Sequence, residues 1–97
     1  MKRKLLTVIT EQALERQLVQ CIKAAGAHGY TITEARGEGQ RGVRNADFDQ
    51  GANIRVEVVC EANVAQQISE ELHRRYFRDF AMVLYLSDVE VLRPEKF

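Results

Sequence analysis

The chain has 97 residues, enough for one domain spanning 1–97 with a modest core, so association with further copies would help it. Hydrophobic residues make up 45% and charged residues 29%, an ordinary globular composition that excludes a disordered chain. Lys and Arg number 14, as do Asp and Glu, and this balance excludes a general nucleic-acid partner and requires any anion site to be local.

The basic start, Met1 to Lys4, is followed by an apolar run over residues 5–9 only, too short for a signal-peptide core or a membrane span, so the protein reads as cytoplasmic. That run is rich in β-branched residues and predicts a buried central strand. Thr10 is placed to cap a following helix, with Glu11 as an acid in its first turn. The helix carries Leu14, Leu18, Cys21, Ile22 and Ala25 on one face, and Gly26 is positioned to end it in a left-handed cap. Residues 30–35 alternate and carry two threonines, predicting a second strand.

A glycine- and arginine-rich loop follows, about 37–52, with no convincing element inside it. Gly37, Gly39, Gly42 and Gly51 allow positive φ and close approach of backbone to a ligand, and successive N–H groups there can form an anion nest. Arg36, Arg41 and Arg44 add guanidinium forks suited to phosphate. The same composition fits a solvated hairpin loop; the length favours a functional one. A P-loop is excluded, because its pattern is missing. Phe48, the large apolar residue of the loop, would dock on a partner or pin the loop to the body.

Residues 54–60 give the cleanest alternation, with Ile54, Val56, Val58 and Cys60 facing one way and Arg55 and Glu57 the other. Asn63 with Gln66 has the spacing of a capping box, and Val64, Ile68, Leu72 and Tyr76 make the buried stripe of a second helix. Residues 80–86 predict a fourth strand, and residues 89–92 a short fifth before Pro94. The order β-α-β-β-α-β predicts an α+β, ferredoxin-like sandwich with both helices on one sheet face. Arg55, Glu57, Val83 and Tyr85 would occupy the other face, a half-apolar surface fit for a subunit interface.

Cys21 and Cys60 each fall on the apolar side of their element and read as reduced core residues, with a disulfide between them as the alternative. His28 and His73 have no neighbours at metal-ligand spacing, so no metal site is expected. Glu70 and Glu71, one turn before Arg74 and Arg75, predict ion pairs on a solvated helix face.

The segment Gly29-Tyr-Thr-Ile-Thr-Glu-Ala-Arg-Gly-Glu-Gly-Gln-Arg-Gly42 resembles the stretch leading into the T-loop of PII signalling proteins, and the element order agrees over essentially the whole chain. The opening Gly37-Glu-Gly-Gln-Arg-Gly-Val-Arg44, the strand start Asn53-Ile-Arg-Val56 and the helix end Arg75-Tyr-Phe-Arg-Asp-Phe-Ala81 are similar to the inorganic-carbon branch, the SbtB-type and carboxysome-associated PII proteins. The resemblance implies a homotrimer without enzymatic activity or cofactor, binding AMP, ADP, cyclic AMP or ATP in clefts between subunits. It implies nucleotide contacts from Gly37, Gly39, Gln40, Arg41 and Arg44, with Tyr85 lining the adenine cleft. It further implies bicarbonate at Gln40 and Arg41, and a target reached through the loop: a membrane bicarbonate transporter or a carboxysome-associated protein.

Two departures from nitrogen-sensing PII proteins matter. No tyrosine stands between Gly37 and Ala52 to be uridylylated. The segment 76–82 lacks the glycines and lysine of the loop that holds outer phosphates in those proteins, which favours AMP, ADP or cyclic AMP over ATP. Two other readings compete. An acylphosphatase-like hydrolase would want its phosphate loop between the first strand and first helix, where this chain has no glycine. A trimeric CutA-like metal-binding protein would want clustered His or Cys.

Overall fold

The computed structural model describes residues 1–38 and 52–97. Four antiparallel strands, β1 (Lys2–Glu11), β2 (Thr31–Ala35), β3 (Asn53–Cys60) and β4 (Val83–Glu90), stand in the order β2-β3-β1-β4. Two helices, α1 (Glu15–Ala24) and α2 (Ala62–Tyr76), complete the ferredoxin-like fold. The core is the layer between sheet and helices. Leu6, Val8, Val56 and Val58 are fully buried from the sheet, and Leu18, Ile22, Ile68 and Leu72 meet them from the helices. Each such side chain contributes roughly 1.5–3 kcal/mol by leaving water.

β1 extends beyond its apolar run at both ends. It is a central strand, paired on both sides before the apolar run, with Lys4 opposite both Cys60 and Asp88, and held by β3 alone after it, with Glu11 opposite Asn53. Thr10 is therefore not a helix cap. It lies in β1 opposite Ile54, on the helix-facing side, and is wholly buried. Glu11 is likewise a strand residue. A single 3-10 turn, Gln12–Leu14, leads into α1, which starts without a side-chain cap.

The other end of α1 follows the sequence closely. Gly26 has φ +94°, and the N–H groups of Gly26 and Ala27 donate to Lys23 O and Ile22 O, at 3.0 and 3.3 Å. These are the two bonds of a Schellman cap, closed by the half-buried Ala27 against the core.

The expected capping box at α2 does not form. Glu61 is the residue before the helix, Asn63 lies inside it, and Gln66 Nε2 donates instead to Glu70 at 3.0 Å. The buried stripe is Ala65, Ile68, Leu72 and Tyr76, with Val64 half-buried at its flank. The fourth and fifth strands expected from the sequence are one strand. β1 is long enough to pair with all of Val83–Glu90, up to Lys2 opposite Glu90. Phe80 belongs to the turn before β4, edge-on to Tyr76 at 5.8 Å between centroids. Residues 94–96 form a last 3-10 turn.

Cys21 and Cys60 are both free and buried, and burial pushes both thiols above their ordinary pKa. Among the described residues no helix is long and apolar enough to cross a membrane.

Candidate functional site

The sheet has two different faces because its strands alternate. Away from the helices, Ile9 stands between Arg55 and Val83, and Thr7 stands between Glu57 and Tyr85. Val83 and Tyr85 are 44% and 49% exposed, although both lie in a regular strand of apolar character. Arg55 and Glu57 form an ion pair at 3.6 Å on the same face. The surface predicted from the sequence as an interface is therefore present: apolar toward β4, charged toward β3.

The connection 36–52 joins β2 to β3 and leaves from one end of the sheet. Its base is tied to the body of the protein by a backbone bond. Gln12 N–H donates to Ala52 O at 2.8 Å, tying the loop base to the β1–α1 turn. Asn53 is buried as the first residue of β3, and Thr10 is buried one position away on β1. The turn between α2 and β4 ends at this same end of the sheet, since Val83 pairs with Ile9 and Ile9 with Arg55.

Of the residues expected to bind nucleotide, Gly39, Gln40, Arg41 and Arg44 lie outside the described residues, as do Gly42, Gly51 and Phe48. Gly37 is exposed and follows β2 by two positions. It does not use positive φ, and an added Cβ would meet nothing within 4 Å. Among the described glycines only Gly26 adopts positive φ, so the freedom that Gly37 allows is not used by its backbone here.

Tyr85 lies on β4, the edge strand opposite β2. Two strands, β3 and β1, separate the loop-bearing edge from the Tyr85 edge, about 14 Å at ordinary strand spacing. Tyr85 also stands in the row of Thr7, Glu57 and Thr31, four positions along β2 from Ala35, where the loop begins. The loop arginines lie outside the described residues, so the structure places only Tyr85 of this expected pair.

Electrostatics around the described surface are local. Glu71 accepts from Arg74 at 2.7 Å and approaches Arg75 at 3.5 Å, and the hydrogen bond from Arg74 holds its carboxyl below the usual range. The Glu70–Arg74 pairing suggested by spacing gives way to this shared pair. Lys4 holds Asp88 at 2.6 Å and lowers its pKa in the same way. Among the described residues no cluster of three His, Cys, Asp or Glu side chains could hold a metal ion.

Residues 3–96 match the family described as nitrogen regulatory protein P-II. A PII-like signalling protein of Thermus thermophilus is 44% identical, with a TM-score of 0.84, over 100% of this chain and 96% of that one. CPII of Thiomonas intermedia, solved with ADP, AMP and acetate, is 25% identical, with a TM-score of 0.85 over 99% of this chain and 94% of that one. The same protein solved with ADP, AMP and bicarbonate is 25% identical, with a TM-score of 0.85 over 100% and 94%. The sheet with its loop-bearing end, the two helices behind it and a family match running almost from end to end lead to one conclusion: this chain belongs to the nitrogen regulatory protein P-II family.

Proposed function

We propose that the protein is a homotrimeric sensor of adenine nucleotides whose binding sites are composite, with loop residues from one copy and the β4 edge from the next. The observation that carries this reading is the half-exposed apolar sheet face of Val83 and Tyr85, which calls for cover by another copy. In this reading the Tyr85 and the arginines that share a ligand come from different copies. Covering Val83 and Tyr85 against another sheet would also stabilise the assembly, by roughly 25 cal/mol for each Å² of apolar surface removed from water.

In this reading Arg41 and Arg44 hold the phosphates, Gly37, Gly39 and Gln40 supply close backbone, and Tyr85 lines the adenine. ADP and AMP are the preferred ligands, as the CPII structures with these nucleotides suggest and as the glycine-free 76–82 segment favours. Bicarbonate joins the nucleotide at Gln40 and Arg41, by analogy with CPII. The loop then takes one of two states according to the ligand, and the shift is bounded by the ligand's differential affinity for those states. The loop would report inorganic-carbon supply to a bicarbonate transporter at the cytoplasmic face of the membrane, or to a carboxysome-associated protein. The role is signalling, without catalysis. The acylphosphatase-like alternative gains nothing from the β1–α1 junction, which is a 3-10 turn of Gln12–Leu14 without glycine.

A mixing experiment tests the composite site. Arg41→Ala and Tyr85→Ala chains should each bind ADP poorly alone. Reassembled together after denaturation and refolding, they should regain a fraction of intact sites, because a mixed trimer places one unaltered loop against one unaltered β4 edge. No regain in a verified mixed trimer contradicts a site shared between copies.

A further inference from the structure

The two helices leave an open groove of about 380 Å³ between them on the side of the protein away from the exposed sheet face. Its volume falls within the range of small-molecule sites. Gln20, Cys21 and Ala24 of α1 form one wall, and Gln67, Glu71 and Arg75 of α2, spaced one turn apart, form the other. The groove exists because α1 offers small side chains where α2 offers long polar ones, so the helices share little direct contact there. Covering the sheet face with other copies leaves it accessible.

Its lining carries one carboxylate, Glu71, and one guanidinium, Arg75, and Arg74 outside the lining pairs with the same carboxylate, so the three groups together hold net +1. Arg74 takes that carboxylate at 2.7 Å, whereas Arg75, which lines the groove, has only a 3.5 Å approach to it and is 43% exposed. The Arg75 guanidinium stands over the Tyr76 ring at 5.1 Å and keeps N–H donors beyond its contact with Glu71, and a carboxylate is the geometric complement of that fork. The Gln20 and Gln67 amides add neutral donors at the rim. The Cys21 and Ala24 side chains give a floor with little hydrogen-bonding capacity, suited to carbon and not to further oxyanion oxygens.

We propose that this inter-helix groove binds a short-chain organic monocarboxylate, its carboxylate on Arg75 and its carbon body over Cys21 and Ala24. The assignment does not rest on nucleotide binding and concerns a different surface. Glu71 sets the selectivity: its negative charge disfavours a second acidic group on the ligand. It also competes for Arg75, so removing it strengthens the site.

Cys21 supplies the readout. It lies at the groove floor at 9% exposure, whereas Cys60 is sealed at 1%. Iodoacetamide labelling of the full-length protein, resolved by peptide mass spectrometry, is followed during titration with propionate, lactate, glutarate and inorganic phosphate at fixed ionic strength. The expected result is saturable protection of Cys21 by propionate and lactate, with weaker protection by glutarate and phosphate. Arg75→Gln should weaken protection about tenfold or more, the scale of a charged hydrogen bond. Glu71→Gln should strengthen it, and Arg41→Ala should leave it unchanged. No protection, protection unaltered in Arg75→Gln, or loss in Arg41→Ala would overturn the site; equal protection by phosphate would overturn the preference for an organic acid. Both helix positions are solvent-facing, and the opposite sign expected for Glu71→Gln distinguishes binding from a folding defect.

Discussion

Single residues carry this fold where the backbone or the burial leaves no alternative. Gly26 sits at φ +94°, a region that costs other residues about 1–2 kcal/mol. Gly26→Ala should therefore lower unfolding free energy by about that amount in urea titration, although nothing lies within 4 Å of the added methyl. Gly29→Ala, with open space and ordinary φ, should differ by much less. Asp88 offers a pH test. Its pKa is depressed in the folded protein by the Lys4 hydrogen bond and charge, so its contribution is present at neutral pH and fades as pH falls through the folded value. Lys4→Met should flatten the acid limb of stability against pH and leave the neutral-to-alkaline limb nearly as it was. The effect will be small, because Asp88 is 67% exposed and water screens the pair. For ligand binding, Arg41→Ala and Arg44→Ala should each cost about 1–3 kcal/mol of ADP affinity by calorimetry, with an unchanged thermal midpoint.

At the scale of elements, periodic apolar patterning was readable and capping chemistry was not. The stripe Leu14, Leu18, Cys21, Ile22 and the alternation Ile54, Val56, Val58, Cys60 are buried as their spacing demands. Burial of a face is settled by many residues at once, so one competing preference does not move it. A cap depends on one side chain, and strand pairing can claim it first. Thr10 shows this, because pairing opposite Ile54 of β3 holds it in β1. Asn63 was read as a cap but sits within α2, so Asn63→Ala should leave stability the same or slightly raise it, since Ala is the better helix former. A loss of about 1 kcal/mol in chemical denaturation would restore the capping box. Ile68→Ala, at a fully buried position, should lose about 2–5 kcal/mol in the same assay. The split of β4 into two strands failed for a related reason. Nothing in residues 86–89 marks the length of the partner strand that holds them.

At the scale of the whole molecule, the sheet order decides what one copy can and cannot do. The order β2-β3-β1-β4 puts β2, from which the long loop starts, and β4, which carries Tyr85, at opposite edges, with Val83 and Tyr85 exposed on the sheet face. The sequence showed that this face exists, because Arg55 and Glu57 alternate with core residues. It did not show that β2 and β4 are the opposite edges, because edge positions follow from pairing order and not from spacing. The composite site is the central claim, and isothermal titration calorimetry tests it most directly. ADP and AMP are titrated with and without bicarbonate into protein whose oligomeric state is fixed by analytical ultracentrifugation. The account predicts a trimer with one saturable site per chain and a changed binding enthalpy with bicarbonate. It also predicts strong weakening in both Arg41→Ala and Tyr85→Ala trimers. Undiminished ADP binding by a monomeric protein, or no adenylate binding by the trimer, would contradict it.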